Sequence, residues 1–371
     1  MTDGHRFAFV LEQTLGHVAH TQNLSRALAR RPDIDATLIK IPFEPPSRAQ
    51  TLPGLRNWSL RASLAARAAL HRRIAAGPLD AVFIHTQVAS LLSVGVMHRV
   101  PTVVSLDATP INFDRVGAAY GHSRHNDVAE SIKLVVNRRT MRSAAALVTW
   151  CEWASRSVVD DYGLQRERIH TIHPGVDLEL FDVAAGREER SGPVRVLFVG
   201  GDFERKGGSD LLAALEAIGP SVEADIVTPR LPHGAASDRI RHHAGLKPQS
   251  APLIDLYRRA DIFALPARGD CFPQAIAEAM AAGLPVIATR VGAIDEMVAD
   301  TVNGLLVRPG APYELTTAIN RLATDENMRR RMGAASRAHA MRNHDAMANA
   351  GRIFDLMASV AATGRRIVLS A

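Results

Sequence analysis

Cysteine, aromatic side chains and long apolar runs are all scarce in this sequence, and each scarcity excludes a class of protein. The two cysteines, Cys151 and Cys271, stand far apart and in no CxxC pair, which excludes a disulfide framework or a cysteine zinc site and fits a reducing compartment. Aromatic residues make up 5% and charged residues 22% against 47% hydrophobic, the balance of a soluble globular chain and not of a disordered or membrane-embedded one. The apolar stretch from Ala275 to Ala288 is broken by Glu278, Gly283 and Pro285, so no segment approaches the roughly 18–20 uninterrupted apolar residues of a membrane span. The start, Met1 to Val10, has one short apolar run before Glu12 and neither a signal-peptide core nor a cleavage pattern. The expected location is the cytoplasm, with a peripheral position at the inner face of the membrane as the alternative.

What is present is a chain of 371 residues, a length that suggests about two domains. The formal net charge is +6, a mild basic bias that suits phosphates, acidic substrates or an anionic surface. No stripe of Lys and Arg interleaved with aromatics accompanies it, so nucleic acid is not an expected partner.

Short β-branched or apolar runs alternate with longer Ala-, Leu- and Arg-rich stretches of helical periodicity, the pattern of βα units around parallel sheets. Strands are predicted near Phe7–Val10, Ala36–Ile39, Ala81–Ile84, Thr102–Leu106 and Ala146–Thr149, with helices near His20–Arg30, Leu60–Ala75 and Asp127–Ser143. A polar run from Ala185 to Pro193 reads as a linker, after which the pattern restarts at Val194–Val199. The fold class is α/β, two Rossmann-like lobes facing a cleft, with lobes at residues 1–180 and 190–345 and a final helix over 346–371. Ligands of open parallel sheets sit beyond the carboxyl ends of strands, so the residues to inspect follow each strand.

Two segments there carry chemistry. Val199-Gly-Gly-Asp-Phe-Glu-Arg-Lys-Gly-Gly-Ser209 is a strand emptying into a glycine-rich loop, with Gly201 at its start and Arg205 and Lys206 before the helix. Glycines admit close backbone approach, a helix N-terminus favours an anion, and two cations add charge-assisted hydrogen bonds, so the loop suits phosphate. It is neither a Walker A loop nor the GxGxxG of a dinucleotide fold. In Pro266 to Ala288, Asp270 lies in a loop after a strand and Glu278 in the following helix among small apolar residues, where a buried carboxylate needs partners. A bidentate acceptor at Glu278 suits a vicinal diol such as a ribose.

This GxFxRKG loop, followed by an acidic residue, a Glu eight residues further on and an EAMAxGLPV ending, resembles the donor lobe of GT-B glycosyltransferases of the retaining family 4 type. His173-Pro-Gly-Val-Asp177, Val291 to Val298 and Asn303-Gly-Leu-Leu-Val307 extend the resemblance over about residues 165–310. It implies a retaining glycosyltransferase that takes a nucleoside-diphosphate sugar to a hydroxyl acceptor. The lobe 190–345 would hold the donor, the lobe 1–180 the acceptor, and the last helix would cross back to the first lobe. Arg205 and Lys206 would hold the diphosphate, Glu278 the ribose, and Asp270 with backbone groups of Phe272, Pro273 and Gln274 the donor sugar; the base would meet backbone near Leu246–Lys247. Family members more often carry glutamate where this chain has Asp270, which bears on the donor's identity.

In the first lobe the resemblance places Gly16 in the loop near donor phosphate and acceptor. His17 is a candidate acceptor residue, against the alternative of a solvent-exposed loop histidine. Asp107 ends another strand, where many relatives carry histidine, and is a candidate catalytic and acceptor residue against an ordinary Asx turn. The pairs His17/His20, His122/His125 and His170/His173 lack HExxH form and an obvious third ligand, and the resembling enzymes need no metal, so no metal or other cofactor is expected. The arginine-rich helix within 55–73 is a candidate peripheral membrane contact, against the reading of a helix packed on its own lobe. Two rival functions share these features: a nucleotide-sugar 2-epimerase, and a non-catalytic nucleotide-sugar-binding module.

Overall fold

The computed structural model describes residues 4–14, 16–43, 57–121, 126–182 and 192–369. Among them twelve strands form two six-stranded sheets. The first holds β1 (His5–Gln13), β2 (Ile34–Pro42), β3 (Ala81–His85), β4 (Thr102–Leu106), β5 (Ala146–Thr149) and β6 (Ile169–Thr171) in the order β2-β1-β3-β4-β5-β6. The second holds β7 (Val194–Val199), β8 (Val222–Val227), β9 (Ile240–His243), β10 (Ile262–Leu265), β11 (Val286–Thr289) and β12 (Gly304–Val307) in the order β12-β11-β10-β7-β8-β9. Every strand pair in both sheets is parallel. The central strands read as continuous apolar runs because helices cover both faces of a parallel sheet. Each sheet has one place where the chain leaves a strand to one side and later returns on the other, between β1 and β3 and between β7 and β10. Such switch points open a crevice at the carboxyl ends.

The chain divides into two compact units, Met1–Phe113 with Arg124–His173 and Met347–Ala371, and Asp114–Ser123 with Pro174–Ala346. The period of two along β1 builds the first unit's core. Ala8 and Val10 join Ala62, Ala66 and Leu70 of the helix Trp58–Ala75 on one face. Phe7, Phe9 and Leu11 meet Ile353, Phe354 and Met357 of the helix Ala346–Leu369 on the other. The chain's last helix thus completes the unit in which the chain begins. Trp58 and Ile74 also pack on the core, so the described part of the 55–73 segment spends its apolar side inward and exposes only Leu64 among its large hydrophobics. The packed reading of that helix describes it. Among the described residues no helix is long and apolar enough to cross a membrane.

Residues 174–180, which the sequence reading gives to the N-terminal lobe, lie in the second unit. Val176 N donates to His344 O at 2.7 Å and Ala346 N to Val176 O at 3.1 Å, so this segment pairs with the end of that unit. Residues 183–191 of the linker, residues 55 and 56, and the His122/His125 pair lie outside the described residues. The strands that sequence patterning passes over are β6, β9 and β12: all three are edge strands of three or four residues, and β9, Ile-Arg-His-His, has no apolar run to signal it.

Candidate functional site

In the second unit the loop after β7 folds onto the loop after β10. Gly207 makes this possible: its φ is +79°, and a Cβ there would lie 1.9 Å from Pro266 O. Gly208 is equally constrained, since its Cβ would meet the Phe203 ring at 2.2 Å, whereas nothing lies within 4 Å of a Cβ on Gly201. The close approach therefore rests on Gly207 and Gly208, and Gly201 is open to solvent.

Arg205 is buried, its Nη1 donating to Gly269 O at 2.9 Å and its Nε lying 3.5 Å from Asp202 Oδ2. Its guanidinium centre stands 4.2 Å from the ring centroid of Tyr120, a cation–π arrangement that sequence reasoning missed because Tyr120 comes from a distant short segment of this unit. Lys206 Nζ donates to Asp270 Oδ2. The expected diphosphate and sugar residues are thus brought together, with the lysine held on the aspartate.

Next in sequence, the helix Gln274–Ala281 starts at Pro273 with no side-chain cap, leaving its first N–H groups to a ligand or water. The Gln274 Nε2, itself buried, has no hydrogen-bond partner, and Phe272 is buried beside it in sequence. One turn further, Glu278 Oε2 accepts from the Tyr257 hydroxyl at 2.8 Å. Burial pushes the Glu278 carboxyl up to about 7, against the opposing pull of the Tyr257 hydroxyl. Tyr257 in turn is held well above its usual range by burial and by the carboxylate it faces. Positive charge, an open helix start and a carboxyl short of donors suit a ligand that brings both anionic oxygens and hydroxyls.

The first unit has a second cluster at its own switch point. His17 opens the helix His17–Ala29, with Gly16 at its N-cap. Its Nε2 stands 3.8 Å from Asp107 Oδ2, an electrostatic and not a hydrogen-bonded distance. Asp107 Oδ1 accepts from the next residue's Ala108 N at 2.9 Å, and Thr109 N, two residues on, donates to Asn112 Oδ1 instead of closing an Asx turn on Asp107.

Glu12 is buried; its Oε1 accepts from Thr14 Oγ1 at 2.8 Å and Trp58 Nε1 at 3.2 Å, and its Oε2 from Thr86 Oγ1 at 2.5 Å. Behind His17 the His85 ring stacks on Trp150 at 4.8 Å, with His20 5.1 Å from His85 and 5.2 Å from Trp150. Burial drives His20 down to about 3, helped by His17, and drives His85 well below its usual range. His17 is also lowered by burial, but Asp107 and Glu12 outweigh this and hold it above its ordinary value. Glu12, His85 and Trp150 were missed in the sequence because they lie on three different strands or loops. Two of the histidines, His17 and His20, belong to one His-x-x-His pair; both lie against the rings of His85 and Trp150 and His17 also faces Asp107, and among the described residues no group of three or more His, Cys, Asp or Glu is arranged to hold a metal.

The family description "Glycosyltransferase Family 4" matches residues 16–180 and "Glycosyl transferases group 1" matches residues 193–325. The chain is similar to D-inositol 3-phosphate glycosyltransferase of Xylanimonas cellulosilytica, 31% identical over 58% of this chain and 58% of that one. It is also similar to MMP alpha-(1->4)-mannosyltransferase of Mycolicibacterium hassiacum, 29% identical over 56% of this chain and 52% of that one. The match spans less than two thirds of either relative. Sucrose-phosphate synthase from Thermosynechococcus elongatus superposes with a TM-score of 0.76 at 17% identity, over 97% of this chain and 100% of the other. HepE from Anabaena, in complex with UDP-glucose, gives a TM-score of 0.68 at 18% identity over 95% and 99% of the two chains. These neighbours share the GT-B fold, and with the two family descriptions covering most of both units, the chain belongs to the group 1, family 4 glycosyltransferases.

Proposed function

We propose that the protein is a metal-independent glycosyltransferase that moves a sugar from a nucleoside diphosphate onto a hydroxyl acceptor with retention of anomeric configuration. The observation that carries this is the convergence of Arg205, Lys206, the uncapped start of the helix Gln274–Ala281 and Glu278 on the carboxyl ends of β7 and β10. The diphosphate of the donor meets the two cations and the helix start, its ribose hydroxyls meet Glu278, and the sugar meets Asp270 and the backbone of Phe272, Pro273 and Gln274. When the glycosidic bond to phosphate breaks, negative charge grows on the diphosphate, and fixed cations there favour the transition state over the ground state.

Lys206 must leave Asp270 to reach a phosphate, and its departure frees the Asp270 carboxylate to accept sugar hydroxyls. The two events are coupled by one ion pair. On the acceptor side Asp107, with His17 beside it and Gly16 at the helix start, takes the hydroxyl. UDP-glucose in the HepE complex supports a nucleotide-sugar donor, and the names of the curated relatives make inositol 3-phosphate the first acceptor and a mannosyl donor among the first sugars to try. Two buried free thiols suit a reducing cytoplasm.

A thermal-shift screen with uridine, guanosine and adenosine diphosphates and their sugars tests the reading. A true donor at 100 times its Kd stabilises by about 2.7 kcal/mol. A clear rise in Tm with one base is expected; no shift with any of them overturns the proposal.

A further inference from the structure

We propose that His17 is a positioning residue, held beside Asp107 by the rings of His85 and Trp150, and that it fixes the Asp107 carboxylate for the hydroxyl of an acceptor. The inference rests on the transferase reading only for what Asp107 receives.

Groups from four strands and two helices face His17. From β1 comes Glu12, whose carboxyl oxygens accept from Thr14, Trp58 and Thr86. Its three incoming hydrogen bonds leave it oriented and unable to swing toward a ligand. From β3 comes His85, whose Nδ1 lies 3.2 Å from Ser105 Oγ on β4. Asp107 follows β4, and the uncharged Trp150 ring follows β5. His20 sits one turn along the same helix. From the helix Trp58–Ala75 the Trp58 indole donates to Glu12, and Arg61 lies over its ring at 5.7 Å.

The rings make a platform: His17 is 4.6 Å from His85 and 5.3 Å from Trp150 by centroid, so its plane has little freedom. Its Nδ1 is buried with no hydrogen-bond partner, and its Nε2 is the atom turned to Asp107. Three imidazoles this close cannot all be charged, since like charges a few ångströms apart oppose one another. The ring beside Asp107 keeps the proton, and the two behind it stay neutral. Asp107, half exposed at the sheet's carboxyl edge, therefore faces a fixed cation that sets its orientation. A hydroxyl acceptor donates to such a carboxylate, and an acidic lone Asp107 would lack that anchor.

The test uses the full chain with 15N-labelled histidine, assigned by loss of one signal in His17→Gln. His17 is expected to titrate above about 6.5, the usual histidine value, and to move down by half a unit or more in both Glu12→Gln and Asp107→Asn. Titration at or below that value, or no movement in either variant, overturns the proposal. Should Glu12→Gln fail to fold, Asp107→Asn decides alone, since the Asp107 side chain is partly exposed and its amide oxygen can still accept from the neighbouring Ala108 N. The second readout is release of nucleoside diphosphate from the donor found by thermal shift, measured across pH with the acceptor panel. His17→Gln is expected to lower turnover 10-fold or more with donor-induced Tm shift unchanged, and Glu12→Gln to move the alkaline limb to lower pH. Unchanged turnover in His17→Gln with intact donor binding overturns the positioning role and leaves the transferase reading standing. Absence of donor binding in the wild type overturns the transferase reading, while the titration still decides whether His17 is held as described.

Discussion

Glu278 carries a conflict between stability and binding that a single substitution exposes. Its carboxyl is raised by burial from 4.5 to about 7, so the fold prefers the protonated form. A raised value means that the contribution to stability is fully present below 4.5 and is lost as pH rises through about 7. Glu278→Gln keeps an acceptor for the Tyr257 hydroxyl and removes the titration. The variant should therefore melt higher than wild type at pH 8 and alike at pH 4, while binding the sugar-free nucleoside diphosphate more weakly because the ribose loses a charged acceptor. Melting curves at the two pH values beside calorimetry check both halves; equal melting at pH 8 would mean that Glu278 is not strained by its burial.

The neighbouring carboxylate should behave in the opposite way. Asp270→Asn removes the partner that holds Lys206, so the same calorimetry should find diphosphate binding no weaker, while turnover falls for want of a sugar ligand. Arg205→Ala and Lys206→Ala should each lower turnover about 10²–10³ fold, the scale for losing one charge-stabilising donor, and near-wild-type rates in both would remove the phosphate assignment.

At the scale of elements, the glycine loop separates what sequence could reveal from what it could not. That a loop after a strand at Val194–Val199 would carry Arg205 and Lys206 into a helix was legible, because strand, glycines and cations are contiguous. Which glycines matter was not. Gly201 was the sequence choice, yet the crowding falls on Gly207 and Gly208, set by Pro266 and Phe203, and Pro266 is distant in the chain. Gly207→Ala forces a side chain into a left-handed backbone and against a carbonyl, and should cost about 2–4 kcal/mol. Gly201→Ala, with open space around it, should stay within about 0.5 kcal/mol. Denaturant melts of the pair check this, and similar stabilities would contradict the packing of the two loops.

The same divide explains the first unit's site. Asp107 is visible as a residue just past an apolar strand, whereas Glu12, His85 and Trp150 meet only because β1, β3, β4 and β5 lie side by side. Strand existence follows from local apolar runs; strand order, and the cluster that it assembles, does not. Edge strands such as β9 carry polar residues and leave little local signal.

For the whole molecule, the chain's order and its units do not coincide, and this makes the last helix a test of the architecture. Residues 347–371 belong with the N-terminal sheet, where Ile353, Phe354, Met357 and Ala361 are buried against Phe7, Phe9 and Phe83. Losing Phe354 alone is worth about 3–5 kcal/mol, and a domain's whole stability is about 5–15 kcal/mol. Removing the helix strips the entire phenylalanine face of that sheet, so a chain ending at Ala346 should not keep its first unit folded. The deleted residues belong to the first unit, whereas Arg205, Lys206, Asp270 and Glu278, with Tyr120 and Tyr257 against them, belong to the second. The three tryptophans, Trp58, Trp150 and Trp153, all belong to the first unit, which makes their fluorescence a report on it alone. The truncated protein should show solvent-exposed tryptophan emission without a cooperative melt, and still bind the nucleoside diphosphate that the intact protein binds. Native tryptophan emission with a cooperative transition would show that the first sheet is stable without its last helix, and loss of nucleotide binding would show that the second unit depends on the first.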